Sequence, residues 1–518
     1  MSVVTQSGRV DILTWPVIGR FLKWRHARLA MQVPVLLLAA WMIFDGLVGP
    51  QLAPKNLATV GTWLEYRGLT VLALLLVGNL FCMACPFMLP RRAGRWMRER
   101  WLAGGRPMPR TLRNKWLAIA LVVLFFFAYE YFALWSTPWW TAWVALAYFA
   151  IAFAVDTVFQ GAAFCKYVCP LGQFNFFGSL FSSLEIKVRE SRVCGGCKSK
   201  DCITARPVVT PLTRSPNPWL GERETDSSLA RLAEQERGTG GVRGCELNLF
   251  QQRKVGNMDC TFCLDCIHAC PCDNLGIIAR TPSKELWTDP WRSGIGRFSQ
   301  RWDLVALVVV FSFGAFLNAF NMIKPVYGLQ ARLAEAFQTN SRAPGLVLVF
   351  VLGLLVLPAV VLSIAGLLTR SQSTDQNLGQ VVRRYTWALA PMGFGMWLAH
   401  YAFHFLTGAL TVVPVMQSFL SDVGLFSGRV RWDLGPLVPQ SWLFPIEAAL
   451  LYLGAMASIV AAVQIASNDP ARPRGTARPA LAAALPWVVV TLLMLGFGIW
   501  IMLQPMEMRG TLMMALPQ

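Results

Sequence analysis

Charged residues, and acidic ones above all, are scarce in this sequence. Only 14% of its 518 residues are charged, with 28 Asp and Glu against 47 Lys and Arg, and only four residues are His. Soluble globular chains carry roughly 25% charged residues, so this composition argues against a soluble enzyme. The sequence also has no phosphate-binding loop, no dinucleotide-binding fingerprint and no Ser/His/Asp arrangement, which leaves nucleotide-dependent and triad-based enzymes without support.

The sequence contains many long apolar stretches. Hydrophobic residues make up 55% of the chain, including 21 Trp and 32 Phe, and a membrane-spanning helix needs roughly 20 mostly apolar residues. The stretches that meet this length lie at about 31–50, 68–90, 116–135, 142–162, 303–323, 345–369, 386–408, 441–467 and 482–503. The sequence therefore predicts a mainly α, polytopic helical membrane protein of about nine spans, with the lipid bilayer as its main partner.

The net charge of +19 follows alternate loops, so it gives little support to nucleic-acid binding. Lys and Arg concentrate before the first span, in the loop from Arg91 to Lys115 and in two short later turns, whereas the segments 135–140 and 411–440 carry few. The positive-inside rule then predicts a bacterial inner-membrane protein with a cytoplasmic N-terminus and a periplasmic C-terminus. All thirteen cysteines fall on the predicted cytoplasmic side, where metal ligation is favoured over disulfides.

Changes in composition divide the chain into five predicted parts. They are a basic cytoplasmic N-terminus (1–30), a four-helix membrane domain (31–163), a cytoplasmic cysteine-rich domain (164–300), a five-helix membrane domain (301–505) and a periplasmic Met-rich tail (506–518). Residues 206–244 are rich in Pro, Ser, Gly and charge, so we predict that they are an insertion within the cysteine-rich domain.

The strongest motif is the run Cys260-x2-Cys263-x2-Cys266-x3-Cys270-Pro271. This is the spacing of bacterial ferredoxins, in which three thiolates bind one cubane and the fourth reaches the other cluster. Thiolates are the soft ligands that iron–sulfur clusters require, and four cysteines so close together favour a cluster over zinc. The motif predicts an inserted 2[4Fe-4S] ferredoxin-like α+β domain.

A second motif, Cys194-x2-Cys197-x4-Cys202, supplies three ligands of a partner cluster, and Cys245 beyond the insertion is the candidate fourth ligand of the pair. Cross-ligation predicts two [4Fe-4S] clusters, one bound by Cys194, Cys197, Cys202 and Cys270 and the other by Cys245, Cys260, Cys263 and Cys266. The alternative is that Cys245 is free and that one site holds zinc or three irons. The remaining Cys272 is expected to pack as a small hydrophobe rather than to bind a cluster.

Two further cysteine pairs end predicted spans two and four. They are Cys82-x2-Cys85-Pro86 and Cys165-x3-Cys169-Pro170, and their likeness suggests two related hairpins that face each other. Proline ends a helix and leaves backbone groups free to bind. Together the four thiols could hold a further iron–sulfur centre or Cu(I); the alternatives are two redox-active dithiols or structural helix ends.

The order of membrane helices, the Cys-Pro endings and the two ferredoxin motifs, over residues 68–300, resemble the NapH/NosR/CcoG group of membrane polyferredoxins. This resemblance implies transmembrane electron transfer, which in different members serves quinol oxidation, a periplasmic copper reductase system or copper reduction for oxidase assembly. The chain lacks the flavin-bearing periplasmic domain of NosR-like members and the C-terminal soluble domain of CcoG-like members, and it adds five spans after the clusters.

The C-terminal half offers weaker candidates. His400 and His404 stand one turn apart and share a helix face, where they could bind a metal or haem, contact a quinone or handle protons, or serve as hydrogen-bonded structural residues. In the tail, Met506 and Met508 offer soft thioethers to copper or simply fill the membrane interface.

These patterns predict a membrane-bound iron–sulfur protein that relays electrons between a cytoplasmic donor or quinol pool and a periplasmic redox protein. One alternative is a copper (metal) reductase or assembly factor that serves a copper enzyme, and another is a redox-regulated membrane transport module. Glu447 is the lone clear acidic residue in the later spans, a scarcity that argues against ion-coupled transport. No catalytic residue is predicted.

Overall fold

The computed structural model describes residues 10–101, 105–204, 243–372, 376–470 and 477–506. Helix accounts for 72% of it and strand for 4%, which confirms the prediction of a mainly helical chain. Most of the predicted insertion at 206–244 and all but the first residue of the predicted tail, Met508 included, lie outside the described residues.

Eight helices in the described ranges are long and apolar enough to cross a membrane, which is consistent with a multi-pass protein in a lipid bilayer. They are α1 (Ala27–Val48), α2 (Leu57–Val77), α5 (Pro138–Val158), α6 (Trp302–Phe320), α8 (Ala343–Arg370), α9 (Leu378–Asp422), α10 (Gln440–Ser467) and α11 (Pro479–Leu503). Three other long helices are α3 (Met88–Trp101), α4 (Trp116–Tyr131) and α7 (Lys324–Ala336).

The predicted count of nine spans differs from these eight at α4. This helix is apolar but has only 16 residues, so at 1.5 Å per residue it is about 24 Å long, short of a hydrocarbon core of roughly 30 Å. The helix ends at Tyr131, and Ala133 then adopts a left-handed conformation with φ of 46° before a 3₁₀ turn. The apolar sequence continues to Trp135, but the backbone does not continue as one helix.

The bounds of the second span were also predicted wrongly. The span covers Leu57–Val77 instead of 68–90, because Gly78 follows with φ of 66° and ends the helix. Arg67 lies in the middle of this helix, and its charge interrupted the apolar stretch and hid the first half of the span in the sequence. The Arg67 guanidinium lies 4.4 Å from the ring centre of Trp63 and 4.2 Å from that of Tyr129, so aromatic faces stabilise the charge within the helix bundle.

The polar segment between α5 and α6 contains a two-stranded antiparallel sheet, formed by β1 (Leu184–Val188) and β2 (Leu275–Ala279). Leu184 pairs with Ala279 and Val188 with Leu275. The short helices near this sheet are Pro170–Gly178, Ser191–Gly196, Asp201–Thr204, Asp265–Ala269 and Lys284–Thr288. Between α2 and α3 lies one more short helix, Leu80–Ala84.

The N-terminal residues pack against this sheet. Asp11 is fully buried, its Oδ1 accepts a hydrogen bond from Ile277 N at 3.2 Å, and its Oδ2 lies 2.8 Å from Nε of Arg189. The start of the described chain and the cysteine-rich segment therefore lie on the same side of the helix bundle.

Glycines allow a close helix contact between α9 and α10. A Cβ added at Gly454 would lie 3.0 Å from Cα of Gly395 and 3.1 Å from the carbonyl oxygen of Pro391. Small residues at such crossings let two membrane helices pack backbone to backbone. Trp387 of α9 also stacks on Phe298 with ring centres 4.0 Å apart, which packs α9 against the end of the polar segment.

Replacing Gly454 by Leu should force α9 and α10 apart and lower the free energy of unfolding by about 1–3 kcal/mol. The change is measured as a lower Tm of the detergent-purified protein. Gly496→Leu on α11 is the matched control, because no heavy atom lies within 4 Å of a Cβ added there. Equal losses in both variants would contradict a specific α9–α10 contact.

Candidate metal centres

Four cysteines predicted to share a cluster line one cavity at the edge of the polar segment. The cavity is here called site A. Its volume is about 410 Å³, which includes the space at its mouth that is open to solvent. Its cysteines are Cys194, Cys197, Cys202 and Cys270, with Cys272 beside them. Sequence spacing alone predicted the first four as one set, and the structure brings that set together.

Local turns orient the thiols of site A. Cys197 and Cys270 each come directly after the end of a short helix. Both cysteines have an extended backbone, with φ/ψ of −71°/117° and −69°/113°. Asn274 N donates to Cys270 Sγ at 3.4 Å, and hydrogen bonds from the Lys200 backbone and from Ser199 lower the pKa of Cys197. These hydrogen bonds favour the thiolate of Cys197, which is the form that binds a metal.

The second predicted set, Cys245, Cys260, Cys263 and Cys266, is buried and is here called site B. These residues are 8%, 8%, 7% and 4% exposed, and three of them, Cys245, Cys260 and Cys266, belong to one apolar cluster. Burial, followed by the nearby charges of Cys245 and Cys260, raises the pKa of Cys266. Burial likewise raises the pKa of Cys245 and of Cys263, so these three thiols would need a positive partner such as a metal to become thiolates.

The loop that carries most of site B bends sharply. Asp259, Phe262 and Leu264 adopt left-handed conformations with φ of 61°, 52° and 61°, which non-glycine residues seldom do. These turns let a short segment wrap around one centre. Cys245 is joined to site A by its backbone, because its N–H donates to the carbonyl oxygen of Cys202 at 2.8 Å.

The four membrane cysteines also come together, in a second cavity here called site C. Its volume is about 420 Å³, which again includes space open to solvent. The cysteines that line it are Cys82, Cys85, Cys165 and Cys169. The two Cys-Pro segments therefore face each other as the sequence predicts. They belong to the connections after α2 and α5 rather than to the ends of those helices.

A π-helical turn explains how two different spacings reach equivalent positions. Phe164–Val168 is π-helical, and Cys169 N donates to the Phe164 carbonyl five residues earlier at 2.8 Å. In the other segment Cys85 N donates to the Cys82 carbonyl three residues earlier. The wider turn takes up the extra residue of the Cys165-x3-Cys169 motif.

Arg91 of α3 is a functional candidate that the sequence patterns did not single out. Its side chain is fully buried, its Nε lies 2.5 Å from Oδ2 of Asp156, and its Nη1 donates to Cys165 Sγ at 3.1 Å. Arg28 of α1 is likewise buried and pairs with Glu246 and Asp265, each at 3.3 Å. In the sequence, both arginines contributed only to the positive charge of predicted loops. Their distance from the cysteines along the chain gave no sign that they lie beside thiols or their neighbours.

No three Cys, His, Asp or Glu side chains among the described residues converge closely enough to hold a single metal ion. In a cubane each thiolate binds a different iron, so its ligands surround a wider space than the ligands of one ion. The open cavities of sites A and C, and the thiol chemistry of all three sites, fit that larger group.

The C-terminal candidates form no comparable site. His400 and His404 share a face of α9, with ring centroids 5.0 Å apart and planes at 85°, which agrees with the expected one-turn spacing. Met506 forms an isolated bridge with Ile323 and packs against the main apolar cluster. Roles for these residues in binding copper, haem or quinone stay predictions.

Comparison with known proteins gives one distant similarity. The chain is 26% identical over 211 residues to the methylamine utilization ferredoxin-type protein MauN of Methylobacillus flagellatus, and the match covers 38% of this chain and 70% of that protein. No family model and no solved structure matches. The similarity supports a ferredoxin-like iron–sulfur protein that transfers electrons, and it defines no narrower family. The membrane setting is supported by the apolar helices.

Replacing Arg91 by Met should destabilise the protein by about 3–5 kcal/mol, because Asp156 is left buried without its cation. The added change Asp156→Asn should recover much of this loss, since the amide is neutral and its oxygen can still accept from Phe164 N. Thermal unfolding of the two variants and the wild type measures the effect. A double variant no more stable than Arg91→Met would contradict the ion-pair explanation.

Proposed function

We propose that this protein binds two [4Fe-4S] clusters, at sites A and B, within a ferredoxin-like domain, and relays electrons at the membrane. The observation that carries the proposal is the grouping of cysteines: the set predicted from spacing for one cluster lines a single cavity. When bound, such clusters supply one-electron transfer at potentials set by hydrogen bonds, charge and solvent exposure.

The surrounding residues fit that role in two ways. Backbone N–H groups donate to sulfur at both sites, from Asn274 to Cys270 at 3.4 Å and from Leu249 to Cys245 at 3.5 Å. Positive charge lies beside site B, because the Arg28 guanidinium interacts with Cys263 as well as with its carboxylate partners. Both features stabilise thiolates that would otherwise repel one another.

The proposed partners are a cytoplasmic electron donor or the quinol pool on one side and a periplasmic redox protein on the other. Packing of Asp11 against β2 supports placing the basic N-terminus and the clusters on the same side, and the positive-inside rule makes that side the cytoplasm of a bacterial inner membrane. In this proposal the protein acts either in quinol oxidation or in the reduction of a metal such as copper.

Iron content tests the two-cluster proposal. After anaerobic purification, sites A and B should together contribute roughly eight irons per chain, and Cys263→Ser should remove about four of them and weaken the reduced-cluster EPR signal. Cys272→Ser is the control, because this thiol is exposed and lies outside both predicted ligand sets. Zinc in place of iron, with no EPR signal after dithionite reduction, would contradict the proposal.

A reporter fusion tests the proposed topology. If the short helix α4 crosses the bilayer by local thinning, the nine crossings place the termini on opposite faces. Alkaline phosphatase fused after Gln518 should then be active in the periplasm, whereas a fusion after Lys23 should be inactive. An inactive C-terminal fusion would show that α4 does not cross and that both termini share one side.

A further inference from the structure

We infer that site C binds a third iron–sulfur cluster through Cys82, Cys85, Cys165 and Cys169, and that this cluster continues the relay from site B toward α2. The inference deepens the proposed function and rests on it for the source of electrons. Its binding residues, however, are separate from those of sites A and B.

The cavity itself is the first argument. Site C is lined by four cysteines that belong to two Cys-Pro segments, just as the four predicted ligands of site A come from two separate motifs and line one cavity. Since the four thiols line one cavity and yet no three of them converge on a single ion, a cluster of several irons fits better than one tetrahedral Zn²⁺ ion.

Local backbone geometry is the second argument. Cys85 and Cys169 follow short helical segments and precede proline, with φ/ψ of −57°/124° and −67°/113°. Cys270, a predicted ligand of site A, also precedes proline and has −69°/113°. The same helix end therefore presents a cysteine at site C as at a site whose spacing is that of ferredoxins.

Hydrogen bonds to every sulfur are the third argument. Gly172 N donates to Cys169 at 3.2 Å, Asn175 Nδ2 to Cys82 at 3.4 Å and Arg91 Nη1 to Cys165 at 3.1 Å, while the Phe87 and Met88 backbone donates to Cys85. Neutral thiols have little need of such donors, whereas cluster-bound thiolates are stabilised by them.

Position connects site C to the relay. Thr261, which stands between Cys260 and Cys263 in the loop of site B, also lines site C. On its other side site C is lined by Tyr66 of α2 and by Phe81, whose rings are 4.9 Å apart. One electron leaving a reduced cluster at site B would reduce the cluster at site C by one electron, and no bond or proton need move.

Iron and sulfide analysis of the full chain, purified anaerobically in detergent, tests the inference. We expect about twelve irons per wild-type chain and a fall of about four in Cys82→Ser and in Cys165→Ser. Cys272→Ser should keep all twelve. A count near eight that neither substitution changes, or the loss of one copper or zinc ion instead of iron, would overturn the third cluster and leave the two-cluster relay intact. A chain without iron would overturn both.

If the cysteine variants fail to fold, Asn175→Leu provides a second test. This change removes the hydrogen bond to Cys82 but keeps all four ligands, so the iron count should stay at about twelve while one EPR signal titrates at a lower midpoint potential. Cys272→Ser should leave every midpoint where it is. Unchanged potentials in Asn175→Leu would overturn the assignment of a cluster to site C.

Discussion

A buried network of opposite charges connects the membrane helices to the cysteine-bearing segments. It joins α1, α3, α5 and the polar segment through Arg28, Arg91, Arg95, Asp156, Glu246 and Asp265. Removing Arg91 would strand the buried Asp156 carboxylate, which has no other ion-pair partner among the described residues, at a cost of about 3–5 kcal/mol. The positions of the thiols therefore depend on ion pairs that hold four separate parts of the chain in register.

The same network fixes the protonation state next to sites B and C. Arg28, Arg91 and Arg95 outweigh the effect of burial and hold the pKa of Glu246 well below its usual range. Because its folded-state pKa is depressed, Glu246 stabilises the fold above its unfolded-state pKa, and this contribution is lost only as the pH falls toward the folded value. At neutral pH, Glu246 therefore stays ionised, and its Oε1 accepts a hydrogen bond from Thr261 at 3.1 Å.

Sequence spacing predicted the groups of cysteines better than it predicted the membrane helices. Thiols a few residues apart must share a neighbourhood whatever the fold. Joining Cys270 to the Cys194–Cys202 motif rested on ferredoxin cross-ligation, and joining the two pairs of site C rested on the likeness of their segments. Helix bounds depended instead on features without a local signature. Gly78 ends α2 early, and Arg67 remains inside it because aromatic rings from α2 and α4 surround the charge. Arg91 was missed for a similar reason. Its hydrogen-bond partners, Asp156 and Cys165, lie 65 and 74 positions further along the chain.

Exposure of the thiols differs among the three sites, and this difference bears on where a redox partner could reach the proposed relay. Site A opens toward solvent, with Cys194 and Cys197 partly exposed and Cys272 fully so. Site B is enclosed, whereas three of the four thiols of site C are partly exposed and an aromatic residue of α2 lines its cavity. A partner would therefore reach the proposed relay at site A or at site C rather than at site B. Since exposure and hydrogen bonding tune cluster potentials, such an arrangement suits exchange between an aqueous donor or acceptor at site A and a lipid-phase one near site C.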